Sequence, residues 1–516
     1  MKCTVVPLQD LSVLSSAIML WNKNEFKALA AKFHFQSSDH SEREKEFQVL
    51  EDEAVRKMRK LLLPELLKKK VLKILKSVFL EVLIWKEKHA KILSHRLKKS
   101  VYKICLTSKG TVDQKKTAET LVKDGSLYYT TRYKLACIYC LENDILTLWH
   151  QMHKSRRKYF YSKRGPGDVN QHELVVFWTY AMYGELTWLR KKMFVPCLCR
   201  SIYQRIFEKA ALEGNKVVTE YFLQKLTPQE KDISLMYCVQ CLAFRRGLFG
   251  RTKWTDLSKR YQSEVVYFLL SEMSDEQQVK VYTKSSYGIA SCLLDLPWQH
   301  FIEKLDFLWG NLSLQDYNKL LLKIIDLAAY GYMDCNYQKC LGEFWKQSPD
   351  VYKEYVINTE IKNQGECEDL LSCLLNLNDR DNIKLILNDA TITEKENFIF
   401  SDKGKCICVD LIYTDKSDLL KFFVRECIFS RDVMIKFKKE LEKHVLLSSE
   451  MLRRETDLQQ KSFEVLDDCV SEYHEWKHEE ENIHSAVRFH SSSAYRGVPL
   501  RQTYSPGDLD FLCVIT

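Results

Sequence analysis

Glycine and proline are scarce in this sequence, with 16 and 9 occurrences among 516 residues. A protein built from many β-strands needs both residue types at its turns. Their scarcity therefore favours helices joined by short polar loops. No stretch of 18 residues is apolar and uncharged, so we also expect no transmembrane helix.

The common signatures of nucleotide-binding and hydrolytic enzymes are missing as well. The chain contains no Walker A motif, no G-x-G-x-x-G, no G-x-S-x-G and no set of protein-kinase motifs. Serine, histidine and aspartate occur, but no spacing places three of them in a catalytic triad. We therefore expect no catalytic residue and no cofactor, and an enzyme is the minority hypothesis.

A disulfide framework is not indicated either. Eighteen cysteines in 516 residues fall far below the density of small secreted scaffolds. The first twenty residues hold a weakly apolar run that Pro7, Gln9 and Asp10 interrupt, without the apolar core and cleavage site of a signal peptide. We expect no signal peptide and an intracellular, cytoplasmic protein with reduced thiols.

Several cysteines nevertheless lie close together in the sequence. They are Cys137 and Cys140, Cys197 and Cys199, Cys238 and Cys241, Cys335 and Cys340, and Cys406 and Cys408. Two Cys-x-x-Cys pairs could together hold zinc. Both of these pairs, however, lie inside apolar helical runs rather than in glycine-rich loops, and cysteine in such runs usually packs as a small apolar side chain. We predict core packing and no metal site.

The composition is that of a folded chain, with 46% apolar and 28% charged residues, which allows a sizeable core and argues against wholesale disorder. Its strongest bias lies in residues 54–109, where 17 Lys and Arg face three acidic residues, although the whole chain carries only +9. Apolar residues recur there at steps of three or four, which predicts one face of a long helix. That face comprises Val71, Leu75, Val78, Val82, Trp85, His89 and Leu93.

Two interpretations of residues 54–109 remain open. Most charged helix faces only keep a packed helix soluble. The alternative is attraction to nucleic acid, an anionic membrane surface or an acidic protein. The absence of a recognition-helix or RNA-binding aromatic signature argues against base-specific binding. The candidate contacts for an anionic partner are Lys68, Lys69, Lys70, Arg96, Lys98 and Lys99.

A helix–turn–helix pattern is clearest at residues 207–223 (FEKAALEGNKVVTEYFL). Ala210 and Ala211 are small enough for a helix crossing, Gly214 suits a helix end, and apolar residues resume after Asn215. Weaker copies lie at Asn143-Asp144, Gly184-Glu185, Gly331, Asp381-Asn382 and Ser417-Asp418. Because one such pair cannot bury its own apolar face, neighbouring pairs must stack on it.

The stretch from Ala210 to Val218 resembles the inner helix, turn and outer helix of an ankyrin unit, in a degenerate form. The spacings between successive turns vary, and they fall on both sides of the ankyrin period of about 33 residues. No copy carries the Thr-Pro-Leu-His tetrapeptide that opens regular units. The resemblance covers about residues 130–430 and implies stacked helix pairs without β-hairpin fingers.

The H-E-x-x-H motif of zinc proteases is matched by His474-Glu475-Trp476-Lys477-His478. His484 even occupies the position of a third ligand. However, Glu481 replaces the glycine that turns the chain in that family, and no strand-rich region precedes the motif to form a cleft. We interpret the match as coincidental, and a zinc hydrolase remains the least favoured alternative.

Together these observations predict an all-α fold, a helical-repeat (degenerate ankyrin-like) solenoid of antiparallel helix pairs. The predicted organisation is a basic N-terminal helical region (1–130), helical repeats (131–435), a charged helix (436–484) and a flexible tail (485–516). Such a chain favours a non-enzymatic scaffold that binds other proteins through its repeat surface. The alternative is binding of nucleic acid or an anionic membrane surface through residues 54–109.

Overall fold

The computed structural model describes residues 8–34, 40–108, 110–161, 172–193, 201–248, 255–295, 298–329, 336–359 and 370–452, with positions 464, 467, 468, 470 and 471. Within these ranges the regular structure is helical and contains no strand, although an isolated β-bridge joins Leu106 to Val112. The predicted all-α class is therefore confirmed. The chain divides into two compact units, residues 1–389 and 390–516, and this division falls inside the range 131–435.

The first unit begins with six helices, of which the fourth is long and central. They are α1 (Leu8–Trp21), α2 (Asn24–Lys32), α3 (His40–Arg59), α4 (Glu65–Leu93), α5 (Leu97–Ser100) and α6 (Gln114–Lys123). The central helix, α4, packs against α1, α2, α3 and α5. All seven residues of the predicted apolar face of α4 are buried, so that prediction is confirmed.

Lys86 is an exception among the lysines of α4, which we predicted to lie mostly off the packed face. Its side chain is buried, and its Nζ donates to the carbonyls of Ala30 (2.6 Å) and Phe33 (2.6 Å) at the end of α2. A cation is favoured there because the last carbonyls of a helix have no partner within the helix. Burial, with a smaller effect of Lys98, lowers the pKa of Lys86 to about 8.

Seventeen further described helices complete the first unit. They are α7 (Tyr129–Ile138), α8 (Glu142–Gln151), α9 (Lys154–Phe160), α10 (Glu173–Met182), α11 (Leu186–Met193), α12 (Ile202–Leu212), α13 (Lys216–Leu223), α14 (Pro228–Leu248), α15 (Thr255–Ser271), α16 (Asp275–Leu293), α17 (Trp298–Ile302), α18 (Leu305–Trp309), α19 (Leu314–Ala329), α20 (Tyr337–Gln347), α21 (Asp350–Ile357), α22 (Leu370–Asn376) and α23 (Arg380–Asn388).

The described part of the second unit contains four helices. They are α24 (Ile392–Phe400), α25 (Asp402–Tyr413), α26 (Ser417–Cys427) and α27 (Arg431–Leu452). The predicted charged helix thus begins within α27, and most of its remainder lies outside the described residues, as does the predicted tail 485–516.

Five turns in the described ranges share one backbone geometry. Each contains a residue with φ between 52° and 72°, and the next residue donates its N–H to the carbonyl five positions earlier. The residue in the left-handed conformation ends the helix, and the hydrogen bond gives one of the last helix carbonyls a partner. The turns join α7 to α8, α10 to α11, α12 to α13, α22 to α23, and α25 to α26. Their left-handed residues are Cys140, Gly184, Gly214, Asn378 and Asp415.

Three of these turns lie earlier in the chain than predicted, at Cys140, Asn378 and Asp415. The predicted positions, Asn143-Asp144, Asp381-Asn382 and Ser417-Asp418, lie in the first turns of α8, α23 and α26. Asparagine and aspartate favour the start of a helix as well as a turn, whereas cysteine rarely marks a left-handed position. The predicted copy at Gly331 lies outside the described residues.

Helices of different helix pairs also contact each other in the described ranges. Helix α7 packs on α10, and further along the chain α19 packs on α22 while α20 packs on α23. The hydroxyl groups of Tyr133 in α7 and Thr179 in α10 lie 3.2 Å apart inside this packing. Burial of apolar faces between neighbouring pairs is what the sequence pattern requires of each pair.

The turn at Gly214 is fixed against α15. Gln262 Nε2 donates to the Leu212 carbonyl at 2.9 Å. A Cβ at Gly214 would lie 2.9 Å from the backbone nitrogen of Gln262. The neighbouring Tyr261 donates to Glu81 of α4 at 3.3 Å, and Arg260 pairs with the same carboxylate at 3.6 Å. Helix α15 therefore connects the clearest repeat turn to the central basic helix.

Candidate binding surfaces

The six basic residues predicted to contact an anionic partner lie at the two ends of α4. Lys68, Lys69 and Lys70 belong to its first two turns, whereas Arg96, Lys98 and Lys99 follow its last residue, Leu93. A rise of 1.5 Å per residue separates Lys70 from Leu93 by about 35 Å along the axis. The structure therefore brings them together as two groups of three rather than as one patch.

The first end combines basic residues with exposed leucines. We define the leucine tip as residues 59–70 (RKLLLPELLKKK), which contain five basic residues, five leucines and one acid. Leu62 is fully exposed and Leu66 is 69% exposed. The single acid, Glu65, already accepts from Lys68 at 2.8 Å. Arg59, Lys60, Lys69 and Lys70 are exposed around the leucines.

The local sequence explains why these leucines are not packed. Pro64 lacks an N–H and precedes the first residue of α4, a position where proline starts a helix rather than continuing one. The connection from α3 is short, and Leu63 donates its N–H to the Leu61 carbonyl at 2.9 Å. Leu62 therefore lies in a tight turn between two helices and outside the buried face of either.

The second end of α4 has a different character, and we call it the tyrosine end. Its residues are Arg96, Lys98 and Lys99 with Tyr128. The Arg96 guanidinium lies 5.9 Å from the centre of the Tyr128 ring, and that ring is exposed. An exposed aromatic ring beside a guanidinium can stack on another planar group.

A polar groove lies between α20 and α23, with a volume of about 460 Å³. Gly342 lets Asn382 of α23 approach α20 closely, because a Cβ there would lie 2.9 Å from the Asn382 side-chain oxygen. Asn382 itself donates to the Gln338 carbonyl at 2.8 Å and to Asp379 at 2.7 Å. Lysines and acids alternate along the walls, among them Lys339, Glu343, Lys346, Asp381 and Lys384. The sequence did not predict this groove, because two helices that are distant in the chain form its walls.

The described cysteines of the two Cys-x-x-Cys pairs do not form a metal centre. Cys137, Cys140 and Cys238 are buried, as predicted, whereas Cys241 is only half-buried. Burial raises the pKa of the Cys140 thiol to about 12, which keeps it protonated and unreactive. Among the described residues no group of three His, Cys, Asp or Glu could hold a metal ion. The H-E-x-x-H motif, Cys197, Cys199 and Cys335 lie outside that part of the chain.

His89 is a buried titratable group at the centre of the first unit. Its Nδ1 lies 2.7 Å from the Trp85 carbonyl, which only accepts, so Nδ1 carries the proton and Nε2 accepts from Tyr139 Oη at 2.7 Å. The ring stacks on Trp85, with 4.3 Å between the ring centres. Burial lowers the pKa of His89 to about 4, and the charges of Lys88 and His172 add to that effect.

The stability of the protein is therefore expected to decrease as the pH falls from 6.5 to 4. In this window an unfolded histidine binds a proton that the folded His89 rejects, so acid favours the unfolded state. His89 alone should lower the free energy of unfolding by about 3 kcal/mol over this range, measured by urea titration at each pH. A His89→Gln variant should lose this part of the pH dependence. An unchanged slope in that variant would assign the acid sensitivity to other groups.

No protein-family model matches the chain, and no curated protein matches it either. Among the described helices, none is long and apolar enough to cross a membrane.

Proposed function

We propose that this protein is a non-enzymatic interaction scaffold whose helix pairs stack as degenerate ankyrin-like repeats. The observation that carries the proposal is the shared turn, in which five pairs use the same left-handed conformation and the same hydrogen bond. A unit that recurs in this way adds surface without adding a separate core, and repeat proteins use that surface to bind other macromolecules. We further propose that it acts in the cytoplasm.

The groove between α20 and α23 supports the binding part of this proposal. It lies between α20 and α23, which the proposal takes as corresponding helices of successive repeats, and such inter-repeat surfaces are where solenoid proteins present their contacts. Its alternating lysines and acids favour a polar segment of a partner protein over an apolar one. A partner that fills the groove would hydrogen bond to side chains along walls whose spacing Gly342 and Asn382 set.

Charge reversal in the groove should remove that partner. We expect Lys346→Glu combined with Lys384→Glu to reduce recovery of the groove partner at least about tenfold, the loss that two charge contacts explain. The measurement is quantitative mass spectrometry after cross-linked affinity capture from the native cell. Lys280→Glu with Lys284→Glu is the matched control, because both lysines are exposed on α16 and neither lines the groove.

The comparison of the two variants decides the proposal. A protein that is lost with the groove variant and kept with the α16 variant is the expected partner. Equal recovery of all captured proteins with both variants would contradict binding at the groove. Capture of no protein above the level of an unrelated helical control would contradict the scaffold itself.

A further inference from the structure

The leucine tip has a surface composition that neither the stacking of helix pairs nor the groove requires. Leu62 and Leu66 are exposed within four residues of each other, and exposed basic residues lie on both sides of them. Exposed leucines contribute nothing to the stability of the fold while they remain in water, but they gain free energy when an apolar medium covers them. The occupant must therefore be apolar at the centre and negative around it.

We propose that the leucine tip docks on an anionic lipid bilayer. Leu62 and Leu66 insert between the headgroups, and Arg59, Lys60, Lys69 and Lys70 contact the phosphates and carboxylates around them. Apolar insertion and electrostatic attraction then add, as they do in other peripheral segments. The inserted part is the short connection between α3 and α4, so the protein lies on the surface and does not cross it.

The charges at the tip complement such a surface. Glu65 is the only acid in residues 59–70, and its ion pair with Lys68 neutralises it. The remaining basic residues leave a local excess of positive charge next to the exposed leucines. A lipid headgroup layer supplies negative charge at the depth of the lysines and hydrocarbon at the depth of the leucines.

Nucleic acid fits the leucine tip less well. Phosphates would satisfy the lysines, but leucine has no ring on which a base can stack, and both leucines would remain in water. The tyrosine end, with Arg96 beside the exposed Tyr128 ring, provides the stacking group that the tip lacks. The two ends of α4 therefore differ in the class of ligand that they favour, and the tip favours lipid.

Vesicle binding tests this proposal with the full chain. We expect cosedimentation with vesicles of phosphatidylcholine and phosphatidylserine mixed at a molar ratio of about seven to three, and weak binding to pure phosphatidylcholine. Leu62→Ser with Leu66→Ser should decrease the partition coefficient at least about tenfold, since two leucines no longer insert. Lys69→Gln with Lys70→Gln should decrease it about tenfold and flatten its salt dependence.

The matched control is Lys98→Gln with Lys99→Gln, which removes two positive charges from the tyrosine end. It should bind vesicles like the wild type. All substituted side chains are exposed, so each variant should keep the wild-type thermal midpoint, which circular dichroism checks. This inference does not rest on the proposed scaffold function, because the tip and the groove are tested by different variants.

Three results would overturn the proposal. One is an unchanged partition coefficient in the double leucine variant, which would show that the leucines do not insert. Another is lysine-dependent binding to a single-stranded oligonucleotide without vesicle binding, which would assign the tip to nucleic acid. The third is a leucine-dependent dimer in light scattering without vesicle binding, which would assign it to a second copy of the chain.

Discussion

Replacement of Gly214 by alanine should destabilise the first unit by about 3 kcal/mol or more, through two effects that add. The backbone at Gly214 has φ of +72°, which costs an alanine about 1 kcal/mol. The new Cβ would also lie 2.9 Å from the backbone nitrogen of Gln262 and 3.0 Å from the carbonyl carbon and Cβ of Tyr261. Backbone atoms cannot rotate away as a flexible side chain can, so α15 would have to move.

Gly184→Ala is the matched control for this prediction. Gly184 has the same φ of +72° at the equivalent turn, but a Cβ there would meet nothing within 4 Å. Only the conformational cost of about 1 kcal/mol remains. Urea unfolding followed by tryptophan fluorescence gives both values, and hydrogen exchange locates the loss at α12, α13 and α15. Equal losses in the two variants would show that the contact with α15 does not constrain the turn.

These two glycines also show how far the sequence predicts the fold. Both turns were predictable, because glycine at such a position marks the end of one helix and the start of the next. Cys140 adopts the same conformation without that signal, and Asp415 adopts it two residues before the predicted Ser417-Asp418. Local composition thus predicts a turn where the residue prefers it and misses its position where tertiary packing decides.

The same distinction holds for the helix α4. Its apolar face was predictable from a spacing of three and four residues, because burial of that face follows from periodicity alone. The burial of Lys86 was not predictable. The carbonyls that accept from it belong to Ala30 and Phe33, more than fifty positions earlier in the chain. A lysine can lie in solvent or against the end of another helix, and its neighbours in the sequence do not indicate which.

For the candidate surfaces, the sequence predicted charge but not its arrangement. It grouped six basic residues because they share one segment, whereas the length of α4 separates them into two sets. The exposure of Leu62 could have been suspected from Pro64, which interrupts the run of leucines between two helices. Predicting the groove required knowledge of which helices are neighbours in space, and a helix–turn–helix pattern with variable spacing does not give that information.

Replacement of Asp295 by alanine should be the other large effect, a loss of about 3 to 5 kcal/mol, the range for breaking a buried ion pair. Asp295 follows α16 and accepts from Arg246 of α14, and their side chains are 8% and 4% exposed. Its second oxygen accepts from Ser263 of α15 at 2.6 Å. The substitution therefore removes a carboxylate that three helices share and leaves a guanidinium in a site with little water.

A surface ion pair supplies the control for Asp295. Asp316 pairs with Lys319 at 3.0 Å within one helix, and both side chains reach solvent. Asp316→Ala should cost less than about 1 kcal/mol, because water replaces the lost contact. Combining Arg246→Met with Asp295→Leu should restore much of the stability lost in Asp295→Ala, since no buried charge remains. Thermal and urea unfolding of the wild type and these three variants measure the differences. Similar losses at Asp295 and Asp316 would show that water enters the Arg246 site and that the pair does not hold α14, α15 and α16 together.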